Sequence, residues 1–239
     1  MSAGPAGPSE SWSSKTMLHA WDHGRDALPA ERALVLLSLA GHDALHWPLG
    51  ERDATLLRVY GQTFGDRFEA HGPCSTCGEG IEMRLSASRY VAAARSAEQG
   101  TLQQGAWSVR LRPVTTQDVL RAVDGQSLVR ACIVDVRFEG EHADPDVLPT
   151  EVLQAGAEHL AVLDPFSEVT IQTRCASCGE LASLTLDVSS FVWTEVGRRA
   201  RALASDVVQL ASRFGWSEAE ILDMSAARRE LYLSLLGAR

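Results

Sequence analysis

The chain has 239 residues, of which 45% are apolar, and a formal net charge of −9. That length sustains a hydrophobic core without disulfides, and the acidic balance argues against nonspecific nucleic-acid binding, which needs a basic surface to neutralise phosphates. The longest apolar runs, such as Ala33 to Ala40, are too short to span a bilayer, and five cysteines, four of them in C-x-x-C pairs, suit a reducing compartment.

Residues 1–15 are rich in Ser, Gly and Pro and read as a disordered tail with no apolar signal-peptide core; Trp12 is read as an incidental aromatic. An N-terminal helical region, residues 16–70, follows. Met17, Leu18 and Trp21 lead to a stop at Gly24, and Pro29 suits the first turn of a second helix, Ala30 to Ala40, closed by Gly41. A third helix runs from Glu51 to Phe64, where Leu56, Tyr60 and Phe64 form an i, i+4 stripe ended by Gly65. The three are expected to pack as a bundle. His19 and His23 have metal-ligand spacing on one helical face, but no third ligand lies nearby, so they read as a solvated or core-edge pair.

An α+β region, residues 71–190, carries one motif twice: Cys74-Ser75-Thr76-Cys77-Gly78-Glu79 and Cys175-Ala176-Ser177-Cys178-Gly179-Glu180. The shift that takes Cys74 to Cys175 also places Leu85 on Leu186, Ser88 on Ser189, Tyr90 on Phe191 and Val91 on Val192, the mark of an internal duplication. A C-x-x-C turn presents two thiolates to one metal, and the glycine after it lets the chain curl back under the sulfurs. Cys74, Cys77, Cys175 and Cys178 together would complete a tetrahedral site for one Zn2+. Ile81, Met83 and Leu85 alternate after the first turn; Val169 and Ile171 precede the second, with Leu184 and Leu186 after it, so each turn belongs at the tip of a β-hairpin, as in a zinc ribbon. A redox dithiol is the rival reading. It needs a thiolate at a helix N-terminus, whereas strand-like sequence follows each pair; a disulfide framework is the third alternative. Four thiolates leave no position for water or substrate, which makes the metal structural. His71, three residues before Cys74, could substitute for a cysteine ligand.

Between the motifs, Ser86 to Glu98 reads as an Ala-rich helix or loop, and Trp107, Val109 and Leu111 as a strand ending at Pro113. Thr115 and Thr116 before Asp118 suit a helix start. Leu128 to Phe138 mixes both periods and is read as a helix, with Cys132 a buried small hydrophobe. Glu139 to Asp146 lacks the spacing and glycine of a calcium loop and reads as a solvated turn. Pro149 and Thr150 open a helix through Leu153, Leu160 and Leu163 to the Asp164-Pro165 break.

In the C-terminal helical region, residues 191–239, Val196, Ala200, Leu203, Val207, Leu210 and Phe214 draw one apolar seam along a helix of about 25 residues, stopped by Gly215. Trp216-Ser217-Glu218-Ala219-Glu220-Ile221 has Ser at N-cap, Glu at N3 and a hydrophobic staple. A final helix spans Ala226 to Leu236. Arg198, Arg199 and Arg201 read as the wet face opposite the seam, and Val207, Leu210, Phe214 and Trp216 as candidate partner-binding residues. No catalytic motif is present. The residues alone give an α+β fold with an N-terminal helical bundle, central zinc-ribbon-like β-hairpins, and a C-terminal long helix plus two short helices.

The ordered combination of Ala30-Glu31-Arg32-Ala33-Leu34, Gly50-Glu51-Arg52-Asp53-Ala54, the first knuckle, Leu111-Arg112-Pro113-Val114-Thr115, the second knuckle, Phe191-Val192-Trp193-Thr194-Glu195 and Phe214-Gly215-Trp216-Ser217-Glu218-Ala219-Glu220-Ile221-Leu222 resembles a family of baseplate proteins. The family is related to the T-even phage baseplate-hub assembly protein and occurs with contractile tails and phage-tail-like injection systems. The resemblance covers residues 16–236. It implies a non-enzymatic structural or assembly protein, in the bacterial cytoplasm or in the finished particle, whose partners are baseplate hub, spike or tape-measure proteins. It carries over no catalytic residue. The alternatives are a zinc-ribbon nucleic-acid-binding or regulatory protein, which would need a basic patch despite the acidic total, and an enzyme whose site is assembled only in three dimensions.

Overall fold

A computed structural model describes residues 11–94 and 97–237. Helices α1 (Ser14–Gly24), α2 (Pro29–Leu39) and α3 (Leu49–Phe64) open the chain. Their ends follow from local chemistry: the Ser13 hydroxyl accepts the Thr16 N–H, Pro29 sits in the first turn of α2, and Gly65, at φ 102°, ends α3. They pack with α8 (Val188–Phe214) around a core that includes Leu36, Leu37, Leu56, Val59, Val192 and Val196.

Two glycines decide how closely α1 meets α8. A Cβ on Gly197 would lie 2.5 Å from the Trp21 ring, and one on Gly24 would lie 2.5 Å from the Trp193 ring. Each helix therefore seats a tryptophan on the other's glycine. The two indoles stack with centroids 5.5 Å apart, and the guanidiniums of Arg201 and Arg32 lie over their rings, each 5.2 Å from the centroid.

Most of the expected tail lies outside the described residues, but its last part does not behave as a tail. Trp12 is 4% exposed, donates its indole N–H to the Leu36 carbonyl at 3.0 Å, and anchors its backbone N–H on Thr63 Oγ1 at 2.9 Å. Trp12 is thus a core residue, because α2 satisfies its indole N–H and α3 its backbone N–H.

Strands β1 (Arg67–Pro73) and β2 (Gly80–Ser86) form the first hairpin, followed by α4 (Ala87–Ala93). Helix α7 (Thr150–Leu163), strands β7 (Val169–Arg174) and β8 (Leu181–Leu186), and then α8 repeat that order. The repeat falls at the offset of the two cysteine motifs, so the duplicated unit is helix–hairpin–helix, longer than the knuckle itself.

A middle module separates the repeats. Strands β3 (Gly100–Gln104), β4 (Trp107–Leu111), β5 (Ile133–Phe138) and β6 (Glu141–His142) make an antiparallel sheet in that order, with α5 (Thr116–Arg121) and α6 (Gly125–Ala131) inserted between β4 and β5. Val109, Leu111 and Val136 pack against Val152, Leu153 and Leu160 of α7. The expected helix over Leu128 to Phe138 is corrected here. The Asp124 side chain caps α6 by accepting the Ser127 N–H, the helix ends at Cys132, and Ile133 onward pairs with β4. Part of the acidic stretch read as a turn is also strand: Glu139 (φ 51°) and Gly140 (φ 88°) make the reversal, and Glu141–His142 pairs back onto β5.

The module is bolted to the first core by buried polar contacts. The Gly50 N–H donates to Asp164 Oδ2 at 2.8 Å, and Arg52 bonds both Asp53 Oδ1 (2.7 Å) and Thr116 Oγ1 (3.1 Å). Burial pushes the Asp53 carboxyl up, against the lowering pull of Arg52. At the C-terminus, α9 (Glu218–Asp223) begins with the expected capping box between Ser217 and Glu220, and α10 (Ala226–Gly237) follows. Among the described residues no helix is long and apolar enough to cross a membrane.

Candidate metal centre

Each C-x-x-C turn is built the same way. The Cys74 N–H donates to the Glu79 carbonyl at 2.8 Å and the Gly78 N–H to the Cys74 carbonyl at 2.9 Å; Cys175–Glu180 and Gly179–Cys175 repeat both bonds at 2.9 Å. Gly78 and Gly179 sit at φ 76° and 77°, in the left-handed region where a side chain would be strained. The identical backbone leaves both cysteines of each turn on one side.

The tips of the two hairpins meet. All four sulfurs lie within 4.8 Å of one another, with Cys74 Sγ 3.8 Å from Cys178 Sγ and Cys77 Sγ 3.7 Å from Cys175 Sγ. Zinc–thiolate bonds of about 2.3 Å in a regular tetrahedron place sulfurs about 3.8 Å apart. A disulfide needs about 2.05 Å, and all four cysteines are free. The spacing fits a shared metal ion. Cys74 and Cys175 are buried, while Cys77 and Cys178 face outward, so the cluster closes one edge of a small apolar core with Ala70, Ile81, Met83, Ala182 and Leu184. Gly72 lets the hairpins touch, since a Cβ there would lie 2.9 Å from Leu184 Cδ2.

The electrostatics match that geometry. Backbone N–H groups of Cys77 and Thr76 donate to the Cys74 sulfur and pull its pKa down to about 6. The Glu79 N–H also lowers Cys77, but the neighbouring Cys178 sulfur, desolvation, and the Cys175 and Cys74 sulfurs outweigh it and push Cys77 up to about 12. One thiolate beside another is disfavoured until a cation neutralises the set.

The other sequence candidates fall elsewhere. His71 lies on β1 with Nδ1 3.9 Å from Glu82 and is outside the four-cysteine group. His23 Nδ1 bonds the His19 carbonyl at 2.8 Å, and the two rings sit 4.0 Å apart with no acidic or thiol ligand completing a group among the described residues. Cys132 is inaccessible, its thiol pushed up to about 11 by burial. Of the proposed partner residues, Val207 is half-buried, Phe214 is 42% exposed, and Trp216 stacks on Phe214 at 4.5 Å. Leu210 is corrected: at 0% exposure it is interior packing and offers nothing to a partner. Sequence reasoning named Tyr60, Phe64, Arg198 and Arg199 separately but missed that α3, the first hairpin and α8 bring arginines and aromatics together, because no local signal links positions so far apart.

Fold and site define an α+β protein in which two helix–hairpin–helix repeats are joined at their tips by a four-cysteine cluster able to hold a metal ion. Comparison of the chain with protein-family models, curated protein sequences and solved structures yields no match.

Proposed function

We propose that the chain is a non-enzymatic structural or assembly protein of the baseplate hub of a contractile phage tail or phage-tail-like injection system, with one structural Zn2+. The observation that supports the structural-metal part of this reading is the four-cysteine cluster joining the repeats. Four sulfur ligands leave no coordination position for a substrate, so a metal there would hold the two hairpins in a fixed relation. The ordered sequence resemblance supplies the assembly context. On this reading hub, spike or tape-measure segments are the partners, and the half-exposed Phe214–Trp216 stack is one surface that meets them.

The test is quantitative mass spectrometry of purified contractile particles beside the lysate of the producing cells. A fixed ratio to baseplate proteins identifies a permanent component, and absence from particles with hub-protein association in lysate identifies an assembly factor. Absence from both overturns the reading, and a salt-sensitive shift of DNA or RNA would then favour the nucleic-acid alternative.

A further inference from the structure

A groove runs along one side of α8. Its first hollow, of about 640 Å3, is bordered by α3 and β1; its floor is Tyr60, Phe64, Phe68 and Phe191, whose rings meet with centroids 4.7 to 5.7 Å apart. Four arginines line it, Arg67 and Arg84 from the hairpin and Arg198 and Arg199 from α8, against two acids, Glu69 and Glu195. That is a local positive excess in a chain of net charge −9.

Glu195 sets the arginines in place. Its carboxylate accepts from Arg198 Nη2 at 2.5 Å and Nε at 3.0 Å and from Arg199 Nε at 3.4 Å. The Glu195 side chain is only 17% exposed, whereas those of Arg198 and Arg199 are 58% and 48% exposed, so both guanidiniums stay available to a further acceptor. Arg84, paired with Glu69, is 88% exposed.

A second hollow of about 640 Å3 shares Phe64 and Arg199 with the first and continues toward α10 between Trp12, Met17, Leu203 and Leu233. The α8 positions that line one hollow or the other run from Phe191 to Asp206 along one helical face and span roughly 22 Å at about 1.5 Å per residue. The lining is thus basic and aromatic at the hairpin end and mixed at the other, where Trp12, Met17, Leu203 and Leu233 lie beside Asp206 and Glu230, which balance Arg199 and Arg229.

We propose that this groove docks an amphipathic peptide segment of a partner protein, carrying carboxylates toward the hairpin arginines and apolar side chains along the aromatic floor. A nucleic-acid strand fits less well, because its phosphates would meet Asp206 and Glu230 in the second hollow. The groove is separate from the Phe214–Trp216 surface, so failure of particle association leaves this proposal standing and its own failure leaves the particle test standing.

The experiment is selection from random peptides of about 15 residues, the number that spans the groove as a helix, against the full chain purified without chelator. Fluorescence anisotropy of the enriched peptide then follows. Enriched peptides are expected to combine Asp or Glu with aromatic or aliphatic residues. They should bind the exposed double variant Arg67→Glu/Arg84→Glu about tenfold more weakly and bind Arg67→Lys/Arg84→Lys nearly as well as wild type, with unchanged circular dichroism in both. Four results would overturn the proposal: no enrichment, enrichment of basic or uncharged peptides, equal binding by the charge-reversed variant, or an arginine requirement seen only for self-association or for a single-stranded oligonucleotide.

Discussion

Gly61 and Gly197 both lie inside helices, and replacing either with alanine should gain about 1 kcal/mol of helix propensity. What the new methyl meets separates them. At Gly61 the nearest atom is Ala87 Cβ at 3.5 Å, an ordinary contact, so Gly61→Ala is expected to stabilise by about 1 kcal/mol. At Gly197 the methyl would lie 2.5 Å from Trp21 Cζ3 and 3.1 Å from Cε3. The Trp21 ring stacks on Trp193 and holds Arg201 over its face, so swinging it away would give up both contacts. Overpacking of this kind costs about 1–3 kcal/mol, which meets or exceeds the propensity gain and leaves Gly197→Ala neutral to about 2 kcal/mol less stable. For a chain of this size each kcal/mol moves the melting temperature by about 2–4 °C. Urea and thermal unfolding followed by far-UV circular dichroism, with Trp21→Leu as the second member of a double-mutant cycle, would measure the clash as a favourable coupling. Equal stabilisation by both alanines, with no coupling to Trp21, would refute the reasoning.

Replacing Cys77 and Cys178 with serine should reduce bound metal, measured by plasma mass spectrometry, from one ion per chain to substoichiometric. Thermal stability should fall by less than the roughly 10–16 kcal/mol that zinc supplies to isolated fingers, because among the described residues two of the three cores contain none of the four cysteines. Trp12→Ala should cost about 3–5 kcal/mol in urea unfolding, whereas an incidental tail residue would cost nothing. Asp118 accepts from Arg112 Nη1 and Nη2 and from Thr115 N and Oγ1 at 2.6 to 2.9 Å. Burial alone would raise its carboxyl, but these bonds hold it below the ordinary carboxylate range. A depressed carboxyl contributes stability that is present above its unfolded value and lost as pH falls through its folded one. Wild type should therefore lose stability below about pH 4 by a component that Asp118→Asn lacks, read from urea midpoints at acidic and neutral pH.

The four-cysteine cluster was legible because its signal is local: each motif states two cysteines and a turn glycine within six residues, and the second copy states the partner. The capping box at Ser217 and Glu220 was equally local. Trp12 was not legible, since its hydrogen-bond partners Leu36 and Thr63 come from two other helices. Leu128 to Phe138 failed for a different reason. Its apolar residues satisfy both periods, and only the pairing of Ile133–Phe138 with β4 decides between them. Strand β3 went unseen because Thr101, Gln103 and Gln104 lie at a sheet edge and carry no apolar alternation. The extended seam of α8 was read correctly as a seam, yet it hid Leu210, whose apolar character serves the interior rather than a partner.

The chain leaves the cysteine cluster at Cys77 and returns at Cys175, so a metal bound there ties off a loop that contains the whole middle module. The entropy of closing a loop grows only with the logarithm of its length, about 0.6 kcal/mol for each doubling. What hangs between the knuckles is therefore nearly free to change in size, provided its two ends arrive at the same places. The exposed reversal at Glu139 and Gly140 is where extra sequence could be carried outward with the clamp unaware of it.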